Sequence, residues 1–573
     1  MKRREKNAEG IFEKPHGRAV ALVFVLALLA RGAPDVFFHM NYGWHATNHA
    51  EAWFYAEVMD GLRTPANGAS DPTVWLLRAF GVLFPGGSSF HAVIAASAIL
   101  SSFTAVALYF LADELYGRKS ALIAGVAWAT MSEPIALGIS GFTHDHLQLL
   151  LISLAILSAI KSLTSSGWAR PLFAAAFVAA VFLGSRINDG IWVGFAVAAM
   201  AVSHILLQQS PALRRRMSPE TIYLVCICFL VIASIASGFT ILKDILEAQL
   251  EGLPQGRLGS FDVVPTTPAI FWLRYNVLLF MVPYGLLAAF RRKDVPAIML
   301  TVFGVIFSLM MDRGGRISDL GIALLFAVAA SDWGVGPVKG IFSRRNTLKA
   351  TIVISAVTFI LFASFASSGP KYSALYLLTG AVLAHSLMTF RGAHSLAVIL
   401  LAASAAGFGT AVFYVTDIPR ENLLTEAEYD VLNWLGTQGR DGRILTGWDR
   451  GHMAEYITRM GSVSNAGVYD KPIHDLLWLE PGASAAGLRG AGVTHILMNS
   501  ANYNVYEDAS GRTYTRIVGS LVQSPEKPLS KQALNRTAIY SMRYLDGGGH
   551  FTLIRSKQDA ATGIRAYIYE VNP

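Results

Sequence analysis

The sequence predicts an α-helical polytopic membrane protein of about 13 transmembrane helices, followed by an α/β domain. Three observations carry this. The chain of 573 residues is 53% hydrophobic and 15% charged, where soluble domains are roughly a quarter charged. Its apolar residues fall in successive runs, with Lys and Arg in short clusters between them. The runs end near residue 416, and the remainder opens on a helix-start signal followed by strand-forming stretches.

In order, the apolar segments lie at about 18–38, 90–112, 118–138, 146–163, 170–184, 190–208, 220–242, 270–290, 296–311, 317–332, 350–367, 372–389 and 394–416. A helix needs roughly 20 residues to span lipid, with a lower limit near 17. The first run follows Lys2-Arg3-Arg4 and lacks a small-residue cleavage site, so it is expected to remain as a span. The basic N-terminus, Arg118-Lys119, Lys161 with Arg170, Arg214-Arg215-Arg216, Arg291-Arg292-Lys293 and the stretch from Lys339 to Lys349 all fall on one side. The positive-inside rule makes that side cytoplasmic. The loops at about 39–89, 139–145, 185–189, 243–269 and 312–316 are then extracytoplasmic, as is everything after about 417. The expected division is a transmembrane domain at 1–416 and an extracytoplasmic α/β domain at 417–573, in a multi-pass protein of the cell membrane.

The net charge of +8 resides in these topological clusters, so no nucleic-acid partner is expected. Cys226 and Cys228 share one apolar run and form no disulfide framework. In the tail, Leu424-Thr425-Glu426-Ala427-Glu428 reads as a helix N-cap. Val493 to Met498, Phe551 to Ile554 and Ala566 to Tyr569 read as strands. Gly487-Leu488-Arg489-Gly490-Ala491-Gly492 reads as a turn into a strand; a phosphate cradle is the alternative, but no helix follows it.

Polar residues cluster on the external side. The first loop carries His45-Ala46-Thr47-Asn48-His49-Ala50-Glu51-Ala52-Trp53-Phe54-Tyr55-Ala56-Glu57, an acid among aromatics. Its plainest reading is an interfacial amphipathic helix. The second loop reads Ser140-Gly141-Phe142-Thr143-His144-Asp145-His146, where imidazole and carboxylate can ligate a cation, or Asp145 or Thr143 can cap the following helix. A third loop holds Gly259-Ser260-Phe261-Asp262-Val263-Val264-Pro265-Thr266-Thr267, and Asp312-Arg313-Gly314-Gly315-Arg316 lies between two apolar segments. Arginine here offers a planar fork to phosphate, or snorkels at a helix end. The tail carries Gly447-Trp448-Asp449-Arg450-Gly451-His452, in which Asp449 could instead cap a helix.

Taken in order, these stretches resemble the catalytic subunit of oligosaccharyltransferases, GT-C membrane enzymes whose signature in the soluble tail reads WWDYG. The resemblance implies a GT-C fold and a glycan moved from a polyprenyl-diphosphate carrier to a protein acceptor, with inversion. It implies that Glu51 is a catalytic acid and metal ligand, and that Asp262 is the second carboxylate holding the acceptor amide. His144 and His146, with Asp145 between them, would complete a divalent-metal site for Mn2+ or Mg2+, the histidines favouring manganese or zinc over magnesium. Arg316 and Arg313 would steady the diphosphate, and Trp448 and Asp449 would bind the acceptor. The chain departs from the pattern where Gly447 replaces the first tryptophan and Arg450 the tyrosine, and where histidines replace acids. Arg186-Ile187-Asn188-Asp189, at another external loop, matches no part of it. Other readings are a GT-C transferase using a polyprenyl-phosphate monosaccharide, a transporter, or an inactive scaffold. The transporter is disfavoured because the charges gather at one interface and no inverted repeat is visible.

Overall fold

The structure is a computed structural model that describes residues 14–63, 71–83, 88–131, 141, 143–187, 210–218, 282–310, 314–332, 423–465, 470–500, 504–507, 513–516, 531–545 and 547–573, with a few single residues between them. Among the described residues, four helices are long and apolar enough to cross a membrane. They are α1 (Lys14–Tyr42), α4 (Ser89–Tyr116), α6 (Asp145–Thr164) and α7 (Ala169–Arg186), and each matches an expected span. Between them lie α2 (Ala50–Met59) and α3 (Pro72–Leu83) in the first loop, and α5 (Arg118–Thr130). Then come α8 (Val282–Arg292), α9 (Val295–Met310) and α10 (Gly314–Asp332). The expected spans at 220–242, 350–367, 372–389 and 394–416 lie outside the described residues, apart from Thr221.

Helix packing explains residues that look misplaced in apolar runs. Arg31, in the middle of α1, is fully buried. Its Nε donates to Ser101 Oγ at 2.7 Å, and its guanidinium also reaches the carbonyls of Ala27 at 3.1 Å and Ala129 at 3.2 Å. One charge thus ties α1 to α4 and α5 by hydrogen bonds that lipid could not supply. Gly304 and Gly321 bring α9 against α10. A Cβ at either would collide with the backbone of the other helix, at Ser318 and Thr301 respectively.

The C-terminal segment forms a mixed sheet in the order β2-β1-β3-β7-β6. Its strands are β1 (Arg443–Leu445), β2 (Gly461–Ser462), β3 (Val493–Asn499), β6 (Phe551–Gln558) and β7 (Arg565–Val571), and β4 (Asn504–Glu507) pairs separately with β5 (Thr513–Arg516). β1 runs parallel to β2 and β3, whereas β7 is antiparallel to β3 and β6. Leu497 faces one core and its neighbours Ile496 and Met498 the other, as the period of two requires. Both faces of β3 are buried, so Ile496, Leu497 and Met498 are consecutive apolar residues rather than alternating ones.

Helices α11 (Glu426–Thr437) and α12 (Gly451–Thr458) pack between this sheet and the first loop. Thr425 caps α11 through a full capping box with Glu428. The stretch from Gly487 to Gly490, expected as a turn, is instead the end of α13 (Pro481–Gly490). Pro481 opens that helix and Leu488 anchors it in the core. The turn is confined to Ala491 and Gly492, the latter at φ +75°.

Candidate active site

The first loop is fixed to the C-terminal segment before it can present any acid. Thr47 and Leu424 form an antiparallel bridge. Beside it Glu426 accepts from the His45 backbone N–H at 2.8 Å and pairs with His45 Nδ1 at 2.8 Å. Burial alone would raise the Glu426 pKa, but these His45 contacts outweigh it and lower it. The His45 ring stacks on Tyr429 with centroids 3.5 Å apart.

α2 then starts at Ala50 and places Glu51 in its first turn. Across from it the second loop begins α6, with His144 as the N-cap. His144 makes no side-chain cap bond, and Asp145 lies inside the first turn, so neither capping alternative describes this loop. His144 Nδ1 lies 3.3 Å from Glu51 Oε2, and His144 Nε2 lies 3.8 Å from Asp145 Oδ1. On its other oxygen Asp145 accepts from Arg316, which stands in the first turn of α10. Both partners of that pair are buried. His146 is buried too, and its Nδ1 sits 3.0 Å from the Thr143 carbonyl. Three chain segments thus converge: Glu51 to His144, His144 to Asp145, Asp145 to Arg316.

Two residues outside the sequence assignment belong to this region. A Cβ at Gly141 would strike the His49 ring, so the first and second loops are in direct contact there. Tyr55, one turn beyond Glu51, has a hydroxyl whose pKa is pushed well up by burial and then by the charges of Glu51, Asp71 and Asp145. His49 and Tyr55 both lie in the stretch from His45 to Glu57, but aromatic and imidazole side chains in an interfacial loop carry no signal of their own.

The tail residues sit on the next layer. Trp448 and Asp449 occupy the turn before α12 and are half-buried. Arg450 is the N-cap of α12 and the helix has no side-chain cap, so Asp449 does not serve as its cap. Instead Arg450 grips Asp449 with one nitrogen. Its Nε donates to Glu428 Oε1 at 3.0 Å and its remaining nitrogen to the Leu423 carbonyl at 3.1 Å. Burial lowers the Arg450 pKa, but Asp449 and Glu428 more than restore it. α12 packs directly on α2, with Phe54 and His452 ring centroids 5.1 Å apart and Trp53 and Tyr456 5.5 Å apart. The elements carrying Glu51 and Asp449 are therefore neighbours. Asp262 and Arg313 lie outside the described residues.

A further group was missed altogether. Among the described residues, Glu57, His452 and Glu455 bring their ligand atoms within 4.8 Å of one another. His452 and Glu455, spaced i and i+3 on α12, were legible as one helix face, but their partner on α2 was not.

Comparison with known proteins agrees with this architecture. Residues 72–237 match the family model described as dolichyl-phosphate-mannose-protein mannosyltransferase. A crystal structure of the Archaeoglobus fulgidus oligosaccharyltransferase, tethered to an acceptor peptide containing the NVT sequon, aligns with a TM-score of 0.56. It covers 96% of this chain and 80% of that one at 14% identity. The chain has the GT-C glycosyltransferase fold. The same archaeal enzyme, in complex with Zn and sulfate, aligns at a TM-score of 0.54 and 14% identity, over 94% of this chain and 79% of that one. ArnT from Cupriavidus metallidurans, bound to undecaprenyl phosphate, aligns at a TM-score of 0.47 and 14% identity, over 89% and 99% of the two chains. No curated protein matches the chain by sequence.

Proposed function

We propose that the protein transfers a glycan from a polyprenyl-diphosphate carrier to a protein acceptor on the extracytoplasmic face. The observation that supports this reading best is the convergence of Glu51, His144, Asp145 and Arg316 from three separate segments. An imidazole and two carboxylates within 4 Å contacts form a donor set that fits Mn2+, Mg2+ or Zn2+. When bound, such a cation supplies Lewis acidity and a fixed positive charge for the donor's phosphates.

The chain's own groups do the rest. Glu51 accepts from the N–H of the acceptor amide and holds it at the anomeric carbon; Asp262 is its partner in this role. Arg316 presents a guanidinium with five N–H donors, so the fork that binds Asp145 can also serve a phosphate oxygen. Asp449, held by Arg450, accepts from a hydroxyl of the acceptor, with Trp448 beside it. Substrate positioning of this kind removes much of the entropic barrier to a two-substrate reaction.

A second reading is favoured by the family match over 72–237, whose description names a phosphate-linked mannose donor. In it Glu51 and the cation act on a polyprenyl-phosphate monosaccharide, and Trp448 and Asp449 have no acceptor role. The purified protein, given polyprenyl-diphosphate glycan and a peptide pool, decides by mass spectrometry. The proposed activity yields glycopeptide. In it Asp449→Ala lowers transfer about 10–150-fold, the value of one charge-assisted hydrogen bond, while hydrolysis of the donor persists. No release from the diphosphate donor, but turnover of a monophosphate donor, selects the second reading.

A further inference from the structure

We infer that Glu57, His452 and Glu455 form a second divalent-cation site, a structural clamp between α2 and α12 that is separate from the Glu51 region. Glu57 lies six residues beyond Glu51, about 9 Å along the helix at 1.5 Å per residue.

The geometry carries the inference. His452 Nδ1 lies 2.7 Å from Glu57 Oε2. A Glu455 carboxylate oxygen lies within 4.8 Å of both ligand atoms. One nitrogen and two carboxylate oxygens within 4.8 Å of one another are all of ligand types that divalent zinc accepts, and three of them leave a coordination position for water. Glu57 is 1% exposed, and its Oε1 has no hydrogen-bond partner among the described residues. Left to itself this group is poorly placed. With Oε1 buried and unpartnered beside a second carboxylate, either a buried proton or a buried, half-satisfied charge must be carried. A cation on the open oxygen satisfies it.

The site also has a way in. Glu455 is 20% exposed and Arg63, at the same edge, 29%. Arg63 Nε lies 3.2 Å from Glu57 Oε2, and its terminal nitrogen binds Glu455. This guanidinium is the ion's competitor. It has an alternative anchor in the Asn465 side-chain oxygen, at 2.9 and 3.1 Å in the amide orientation that pairs donor with acceptor. Because the residues come from two elements far apart in sequence, the ion would lock the first loop onto the C-terminal segment. The inference does not depend on the transferase reading.

The test uses the full-length protein in detergent, stripped with chelator and titrated with Zn2+, with bound metal counted by mass spectrometry and unfolding followed by heat. A Glu51→Gln/His144→Ala background removes the other metal region. In it we expect one zinc per chain and a rise in Tm with zinc. Adding His452→Asn, or Glu455→Gln should the first variant fail to fold, lowers zinc affinity by at least about tenfold and flattens the Tm response. Arg63→Met does the opposite and tightens binding severalfold. Absence of zinc from both the background and Arg63→Met overturns the proposal and leaves a proton shared between the two carboxyls. Zinc that survives both ligand variants overturns it as well, by placing the ion elsewhere.

Discussion

Arg450 Nε donates to Glu428 Oε1 across 3.0 Å, and each side chain is only 1% exposed. Glu428 also accepts from Thr425 N at 2.9 Å and from Asn499 Nδ2 at 2.8 Å. One carboxylate therefore closes the cap of α11, reaches the sheet, and anchors the arginine that holds Asp449. At this position the oligosaccharyltransferase pattern has tyrosine. Arg450→Met leaves a buried charge without its partner, so a loss of about 3–5 kcal/mol is expected in denaturant unfolding. Arg450→Tyr should do no better, because tyrosine supplies no cation for Glu428. Glu428→Gln combined with Arg450→Met recovers part of the loss; an unchanged Tm in Arg450→Met would mean the pair is not closed.

The Asp145 and Arg316 pair behaves as a coupled unit in the same sense. Each single change, Asp145→Asn or Arg316→Met, strands a buried charge and should cost about 3–5 kcal/mol. The double variant should cost less than the sum of the two. A thermodynamic cycle on purified protein measures this, and strict additivity would show the two groups to be independent.

His474 makes a pH prediction. Its side chain is fully buried, with Nε2 2.8 Å from Ser464 Oγ and Nδ1 on the Leu521 carbonyl. Nδ1–H donates to the carbonyl and Nε2 accepts from the hydroxyl, an arrangement that wants the neutral ring. Burial, the largest cause, pushes its pKa down to about 4. The unfolded chain takes up the proton first, near pH 6.5. Stability from this group is therefore complete above about 6.5 and is lost as pH falls toward 4, at up to ~1.4 kcal/mol per pH unit. His474→Gln should flatten this acid limb of the stability curve, and an identical slope in both proteins would refute the assignment.

The distribution of Lys and Arg sets a topology that fusions can check. Reporters placed at 340–348 should be active in the cytoplasm, and reporters after 417 outside it. A cytoplasmic C-terminal end would separate Trp448 and Asp449 from the proposed site of transfer.

Local signals were readable in the sequence wherever one element decided them. The spans α1, α4, α6 and α7 follow from apolar length, and the α11 cap follows from Thr425 and Glu428 alone. The strand β3 was legible because both its faces are buried. Glycines misled at 487–490, since Leu488 and the proline at 481 outweigh weak helix propensity once the core is present. In the candidate site the resemblance grouped Glu51 with His144, His146 and Asp145, but the pairing of Asp145 with Arg316 was invisible. Contacts such as Asp145 to Arg316, 171 residues apart, are set by tertiary packing, which no local spacing encodes. For the same reason Arg450 looked like a defect in a motif, whereas it joins three elements.

The bridge between Thr47 and Leu424, with His45 on Glu426, also orders events in time. His45 and Glu426 are 381 residues apart in the chain. At synthesis rates of ~5–20 residues per second, the first loop leaves the ribosome roughly 20–80 s before its partner exists. During that interval α2 can pack on α4, where Trp53 stacks on Phe90, but its Phe54 side still lacks His452. Truncation anywhere before Leu424 should therefore leave the first loop without its C-terminal partner, however complete the helices before it.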